Sequence, residues 1–145
     1  MLPVKAHFLS AAGSNSCIPL GFLGRVSCGF PSPAADYHEP DLSLDDLVGI
    51  SPTSSIFLFR ASGDSMIDAG IHDDDILIVD KAKTAVDGDI VIACLENEFL
   101  VKRLMHDEES RPVLMPENKR YKPIIMGEGE TLLVWGVCKW VLHKL

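Results

Sequence analysis

The chain of 145 residues has no apolar run approaching the ~18 residues needed to cross a bilayer. A short apolar stretch runs from Ala6 to Ala12 behind Lys5, but His7 and Ser10 interrupt it, which argues against a secretory signal. A cytoplasmic location with no membrane association is the expectation. Cations are scarce: 13 Lys and Arg stand against 21 Asp and Glu, a net charge of −8. Nucleic-acid affinity rests chiefly on neutralising phosphates, so this balance argues against strong direct nucleic-acid binding. No two of Cys17, Cys28, Cys94 and Cys138 stand at C-x-x-C spacing, which leaves zinc or thioredoxin-type chemistry little support. In a reducing compartment these thiols stay free, and Cys94 and Cys138, inside apolar runs, are expected to be small core residues. There is no G-x-S-x-G elbow and no internal repeat. Acidic residues are missing altogether from residues 1–28, where Lys5 and Arg25 give +2 against −10 for the remainder. A basic arm lying on an acidic body and a solvated tail both fit that asymmetry.

What is present is enough for one domain of ordinary size, with 47% apolar residues to build its core. Residues 1–28 show neither helical nor strand period. From Gly29 to Pro40 the chain carries Pro31, Pro33 and Pro40 among small residues, which predicts an extended linker, since proline fixes φ and lacks an N–H. Residues 1–40 are therefore expected to be an N-terminal arm and 41–145 the globular domain. Ser43 is placed to cap a short helix with Asp46 three residues on, and Gly49 to end it. Strands are expected at Ile56–Arg60, Asp75–Asp80, Asp89–Leu95 and Phe99–Met105, the last two joined as a hairpin across Glu96-Asn97-Glu98. Pro112–Met115, Pro123–Met126, Thr131–Trp135 and Val137–Leu142 complete a mainly β, partly barrel-like domain. One further helical turn is expected just after Ser65.

The chemistry centres on Ala61-Ser62-Gly63-Asp64-Ser65-Met66, directly after a strand. Gly63 permits a tight turn. Ser65 at such a corner is either an ordinary N-cap or a nucleophile flanked by the backbone N–H groups that an oxyanion hole requires. A serine nucleophile needs a base. None of His7, His38, His72, His106 and His143 has a serine-hydrolase context. Lys102 is the other candidate. Strand alternation puts it on one face with Leu100 and Leu104. An exposed lysine, pKa ~10.4, is protonated and useless as a base, whereas burial lowers that value by favouring the neutral amine. A lysine snorkelling from a strand edge is the competing reading. Cys28-Gly29 precedes the Pro-rich linker, where a peptidase has access, and the glycine lets backbone approach a nucleophile closely.

Four segments, in order, carry a resemblance: Cys28-Gly29-Phe30-Pro31-Ser32-Pro33-Ala34-Ala35-Asp36-Tyr37, Ala61-Ser62-Gly63-Asp64-Ser65-Met66-Ile67-Asp68, Asp89-Ile90-Val91-Ile92-Ala93 and Phe99-Leu100-Val101-Lys102-Arg103-Leu104. From Cys28 to the C-terminus the chain resembles the UmuD type of LexA-like self-cleaving serine peptidase. The resemblance implies a β-rich peptidase domain with short helical turns and an extended N-terminal arm, assembled as a homodimer. It implies a catalytic pair of Ser65 as nucleophile and Lys102 as general base, with the backbone N–H groups of Asp64 and Ser65 as oxyanion hole. The cleavage site is the Cys28–Gly29 bond, cut under stimulation by a RecA filament on single-stranded DNA. The shortened product is then the accessory subunit of a UmuC-like Y-family DNA polymerase in SOS translesion synthesis. No cofactor and no metal are implied. The run Asp73-Asp74-Asp75 stands where relatives commonly carry a glycine, and its consecutive carboxylates are expected to point apart rather than hold a metal.

Three rivals share parts of this pattern. A LexA-type repressor calls for a helix-turn-helix ahead of Cys28, where no helical period exists. A signal peptidase calls for a membrane anchor. A chiefly non-catalytic regulatory subunit of the polymerase, with cleavage only as maturation, is compatible with everything above.

Overall fold

The computed structural model describes residues 5–11, 19–22, 26–29 and 39–145. It divides into two compact units, Met1–Ala12 with Ser54–Leu145, and Gly13–Thr53. Along the chain run β1 (Lys5–Ala11), β2 (Pro19–Phe22), β3 (Glu39–Ser43), α1 (Leu44–Val48), β4 (Ile56–Ser62), β5 (Ile76–Asp80), β6 (Ile90–Leu95), β7 (Glu98–His106), β8 (Pro112–Met115), β9 (Ile124–Ile125) and β10 (Leu133–Leu142).

In the larger unit the strands pair antiparallel in the order β1-β4-β5-β10-β6-β7-β8-β9. Lys5 of β1 also pairs with Leu100 of β7, so the first six strands of that order close into a ring and β8 and β9 extend from it. Closure gives the strands of the ring partners on both sides, which is how β-rich domains avoid exposed edges. The mainly β, barrel-like expectation is borne out. The β6–β7 hairpin turns on Glu96 and Asn97, both at positive φ, with Leu95 opposite Glu98. That is the primed two-residue turn whose twist suits antiparallel strands.

Alternation along β6 and β7 supplies two cores. Ile92 and Val101, directly opposite each other, join Phe59, Ala61, Met66, Ile71, Leu77 and Val79. Val91, Ala93 and Leu104 join Leu114 and Val137. Each of these side chains larger than alanine, removed from water, stabilises the fold by about 1.5–3 kcal/mol. Trp135 stands edge-on to Phe57 and Phe59, both at 5.0 Å between ring centroids, the edge-to-face arrangement aromatic pairs prefer.

Two features depart from the sequence reading. β1 forms from a stretch without strand period. Its pairing with β4, irregular between Phe8 and Ser10, is a tertiary contact rather than a local preference. The two short strands expected around Gly136 are one strand, β10, bulged against β6 between Val134 and Gly136 and against β5 between Cys138 and Trp140. Gly136 is not a break. A Cβ there would lie 2.8 Å from Val79 Cγ1 and 3.1 Å from the Asp80 carbonyl oxygen, so the strand needs glycine to lie this close to β5.

The smaller unit holds the β2–β3 pair and α1. As expected, Ser43 caps α1: its Oγ accepts from the Asp46 N–H at 3.0 Å, and Gly49 ends the helix at φ 78°. Most of the expected linker, residues 30–38, lies outside the described residues, while Glu39 and Pro40 open β3.

Gly136→Ala is expected to destabilise the protein by about 1–3 kcal/mol, because fully buried Val79 must move to admit the methyl group. Urea melts of the two proteins measure this. Equal stability would mean that β10 does not need the close approach.

Candidate active site

The Ser65 corner is assembled from the end of β4 outward. The Ala61 N–H donates to the Asp75 carbonyl at 2.8 Å and the Asp74 N–H to the Ala61 carbonyl at 2.9 Å, which anchors the strand end to the 71–75 turn. Gly63, at φ 96°, reverses the chain, and its N–H donates to Asp73 Oδ1 at 2.7 Å. A single 3-10 turn, Ile67–Ala69, follows, as expected. Ser65 and Met66 are wholly buried.

A second segment, residues 117–121, clamps this corner. The Glu117 N–H donates to the Ser65 carbonyl at 2.8 Å, and the Asp68 N–H returns a bond of 2.8 Å to the Glu117 carbonyl. Asn118 Nδ2 donates to the Asp64 carbonyl at 2.9 Å. The Tyr121 hydroxyl donates to Asp64 Oδ1. Tyr121 is pushed up to about 12, by desolvation first and then by that bond, so it remains a donor throughout the neutral range. Because the peptide group is planar, holding the Asp64 carbonyl also sets the direction of the Ser65 N–H, and holding the Ser65 carbonyl sets that of Met66.

Lys102 comes from the middle of β7. Its face carries Leu100 and Leu104, with Val91 directly opposite on β6. Lys102 is only 2% exposed. The snorkelling reading is therefore excluded, since the amine does not reach water. Its Nζ lies 2.7 Å from Ser65 Oγ and 3.1 Å from the Val101 carbonyl oxygen. Among the described residues no carboxylate pairs with Lys102. Burial pulls its pKa from 10.5 down to about 8. A protonated amine here donates to both oxygens. A neutral one donates to Val101 and offers its lone pair to the Ser65 hydroxyl at the same separation.

The structure thus brings Ser65 and Lys102 together across 37 positions of sequence, with Asp64 adjoining them in the turn. Cys28 and Gly29 are exposed and belong to the smaller unit. Asp73, Asp74 and Asp75 do point apart, to Gly63, Arg60 and His143 respectively. His106 faces Asp87, and His72 and His143 face Asp75. Cys94 and Cys138 are half-buried, and burial raises the Cys138 thiol to about 12. Cys17 lies outside the described residues. Glu117, Asn118, Tyr121 and Arg103 escaped the sequence reading. Arg103, next to Lys102, binds the Glu117 carboxylate and donates to the Gly88 carbonyl at 2.6 Å, coupling β7 to the clamp. The one available signal was the polar stretch Glu117-Asn118 after Pro116, which marks only a turn.

The depressed pKa has a stability consequence with a definite sign. Between about pH 8 and 10.5 the unfolded chain holds a proton on Lys102 that the folded chain has lost. Stability from this group therefore rises with pH across that window, by about 3 kcal/mol in all. Lys102→Met keeps the length and removes the titration. Its stability advantage over the parent at pH 7 is expected to shrink as pH rises from 8 to 10.5, in paired urea melts. A constant difference would show that the amine is not desolvated.

The Peptidase S24-like family model matches residues 21–139. Protein MucA of Salmonella typhimurium is 45% identical over 145 residues, covering 98% of this chain and 94% of its own. Protein SamA of the same species is 43% identical over 130 residues, covering 90% and 88%. The LexA repressor of Caldicellulosiruptor saccharolyticus is 44% identical over 119 residues, covering 81% of this chain and 57% of its own. The resemblance to UmuD and its LexA-like relatives is borne out. A buried serine at a clamped corner, matched over most of the chain to these proteins, makes this a member of the peptidase S24-like family, with the serine-peptidase type of activity that membership implies.

Proposed function

We propose that the protein is a self-cleaving serine endopeptidase that cuts its own Cys28–Gly29 bond. The observation that carries this reading is the 2.7 Å contact between the Lys102 amine and the Ser65 hydroxyl, both out of water. Neutral Lys102 accepts the Ser65 proton as Oγ adds to the Cys28 carbonyl carbon. The backbone N–H groups of Asp64 and Ser65 receive the oxyanion, a contribution of about 2.7–4 kcal/mol per donor in a serine peptidase where it was measured. Collapse breaks the C–N bond, and Lys102 returns its proton to the departing Gly29 amine. Water, deprotonated by Lys102, then releases the Cys28 carboxylate and restores Ser65. What supports the cleavage point is the exposed Cys28-Gly29 segment, where, among the described residues and apart from its chain neighbours, nothing lies within 4 Å of a Cβ built on Gly29.

The wider role follows from the UmuD resemblance. The chain is a cytoplasmic homodimer, cleavage is stimulated by the RecA filament on single-stranded DNA, and the 117-residue product serves a UmuC-like Y-family polymerase in translesion synthesis. The filament acts by favouring a docked arm, a shift between states already populated.

Incubation with RecA, single-stranded DNA and nucleotide is expected to yield a chain beginning at Gly29 by mass spectrometry. Ser65→Ala and Lys102→Ala should each abolish it while leaving thermal unfolding cooperative. A cut at another bond, or cutting by either variant, would overturn the assignment.

At pH 7 about a tenth of Lys102 is neutral. Unaided cleavage is therefore expected to rise about tenfold from pH 7 to pH 9 and then level off. A flat profile from pH 7 to 10 would sink the lysine base.

A further inference from the structure

We propose that His72, Asp75 and His143 bind one borderline divalent cation, Zn²⁺ foremost, which ties the end of β10 to the turn that leads into β5. One ligating atom from each residue lies within 4.8 Å of the other two. Asp75 Oδ1 stands 2.5 Å from His143 Nδ1, and Asp75 Oδ2 stands 3.6 Å from His72 Nδ1. The two imidazole rings face each other at 4.5 Å between centroids.

Three properties point to a cation rather than to a polar cluster alone. First, His72 Nδ1 is a buried atom that makes no hydrogen bond among the described residues. It is aimed at a carboxylate that lies too far away to bond it. Orphaned buried donors or acceptors of this kind call for an explanation, and an ion between the three groups supplies one. Second, the carboxylate is fixed and the imidazoles can adjust. The Asp75 side chain is 2% exposed and its Oδ2 accepts from the His72 backbone N–H at 2.7 Å, whereas the two histidine side chains are 44% and 42% exposed. Around Zn²⁺, with metal–nitrogen bonds of about 2.0–2.1 Å, tetrahedral ligand atoms stand about 3.3 Å apart, so movements of about 1 Å by the histidines suffice. Third, two imidazoles and one carboxylate favour zinc and its transition-metal neighbours over Ca²⁺ or Mg²⁺, which take all-oxygen sites. Three protein ligands leave the fourth position to water.

The consequence is mechanical. His143 follows the last residue of β10, and Asp75 receives the Ala61 N–H at the end of β4, just ahead of the Ser65 corner. A bound ion pins the C-terminus to that support. This site uses none of the groups in the proposed cleavage and stands or falls separately from it.

The test is calorimetric titration of chelator-stripped full-length protein with Zn²⁺, alongside Co²⁺ absorption. One Zn²⁺ per chain is expected, with visible Co²⁺ bands of a low-coordinate nitrogen and oxygen site. The melting temperature should rise with Zn²⁺ and fall back on chelation. His72→Gln and His143→Gln should each weaken binding at least about tenfold. His143→Gln alters an exposed side chain beyond the last strand, so the test does not depend on a fold-breaking change. No stoichiometric binding by the parent, or binding unchanged in His143→Gln, would overturn the proposal. The latter result would assign the ion to cysteines or to other histidines.

Discussion

The removal of one amine from water is the constraint on which the site depends. Lys102 lies midway along β7, between Leu100 and Leu104 and opposite Val91, and among the described residues its Nζ finds a hydroxyl and a backbone carbonyl but no carboxylate. A charge held there without a carboxylate would forgo hydration for little return, so the neutral amine gains. What makes the residue uncomfortable as part of a core is what lowers its pKa toward neutrality. The fold tolerates this because its two apolar clusters, one on each face of the β6–β7 hairpin, supply the stability that Lys102 does not.

Desolvation alone would leave a buried amine without the hydroxyl that meets it. The Ser65 corner is therefore held as firmly as the amine. Gly63 makes the reversal, the 71–75 turn anchors its entry, and the 117–121 segment binds the carbonyls of Asp64 and Ser65. Arg103 links the two halves, since it neighbours Lys102 on β7 and binds Glu117 of the clamp. A displacement of β7 relative to the corner would have to break that ion pair. Positioning of this kind carries weight in catalysis because a misplacement of about 1 Å is costly. The clamp holds the carbonyls of Asp64 and Ser65, and so it fixes the directions of the Ser65 and Met66 N–H groups.

Much of this was legible in the amino-acid order because it is local. The helix capped by Ser43 and closed by Gly49, the β6–β7 hairpin, the glycine-led corner and the helical turn after Ser65 all follow from preferences spanning a few residues. Alternation along β7 puts Lys102 on one face with Leu100 and Leu104, which the residue order alone shows. The choice between an ordinary capping serine and a nucleophile, and between a snorkelling and a buried lysine, was not available from spacing. Both depend on what covers the residue from distant parts of the chain.

Only the tertiary structure decided the rest, for the same reason in each case. β1 has no period of its own and becomes a strand because β4 and β7 offer it partners. Gly136 looks like a break and proves to be the point where β10 must approach Val79. Glu117, Asn118 and Tyr121 reach the corner from more than fifty positions away, and His143 reaches Asp75 across 68. Residue order set which local shapes were cheap. Ring closure of the sheet set which of those shapes came into contact, and therefore which amine lost its water.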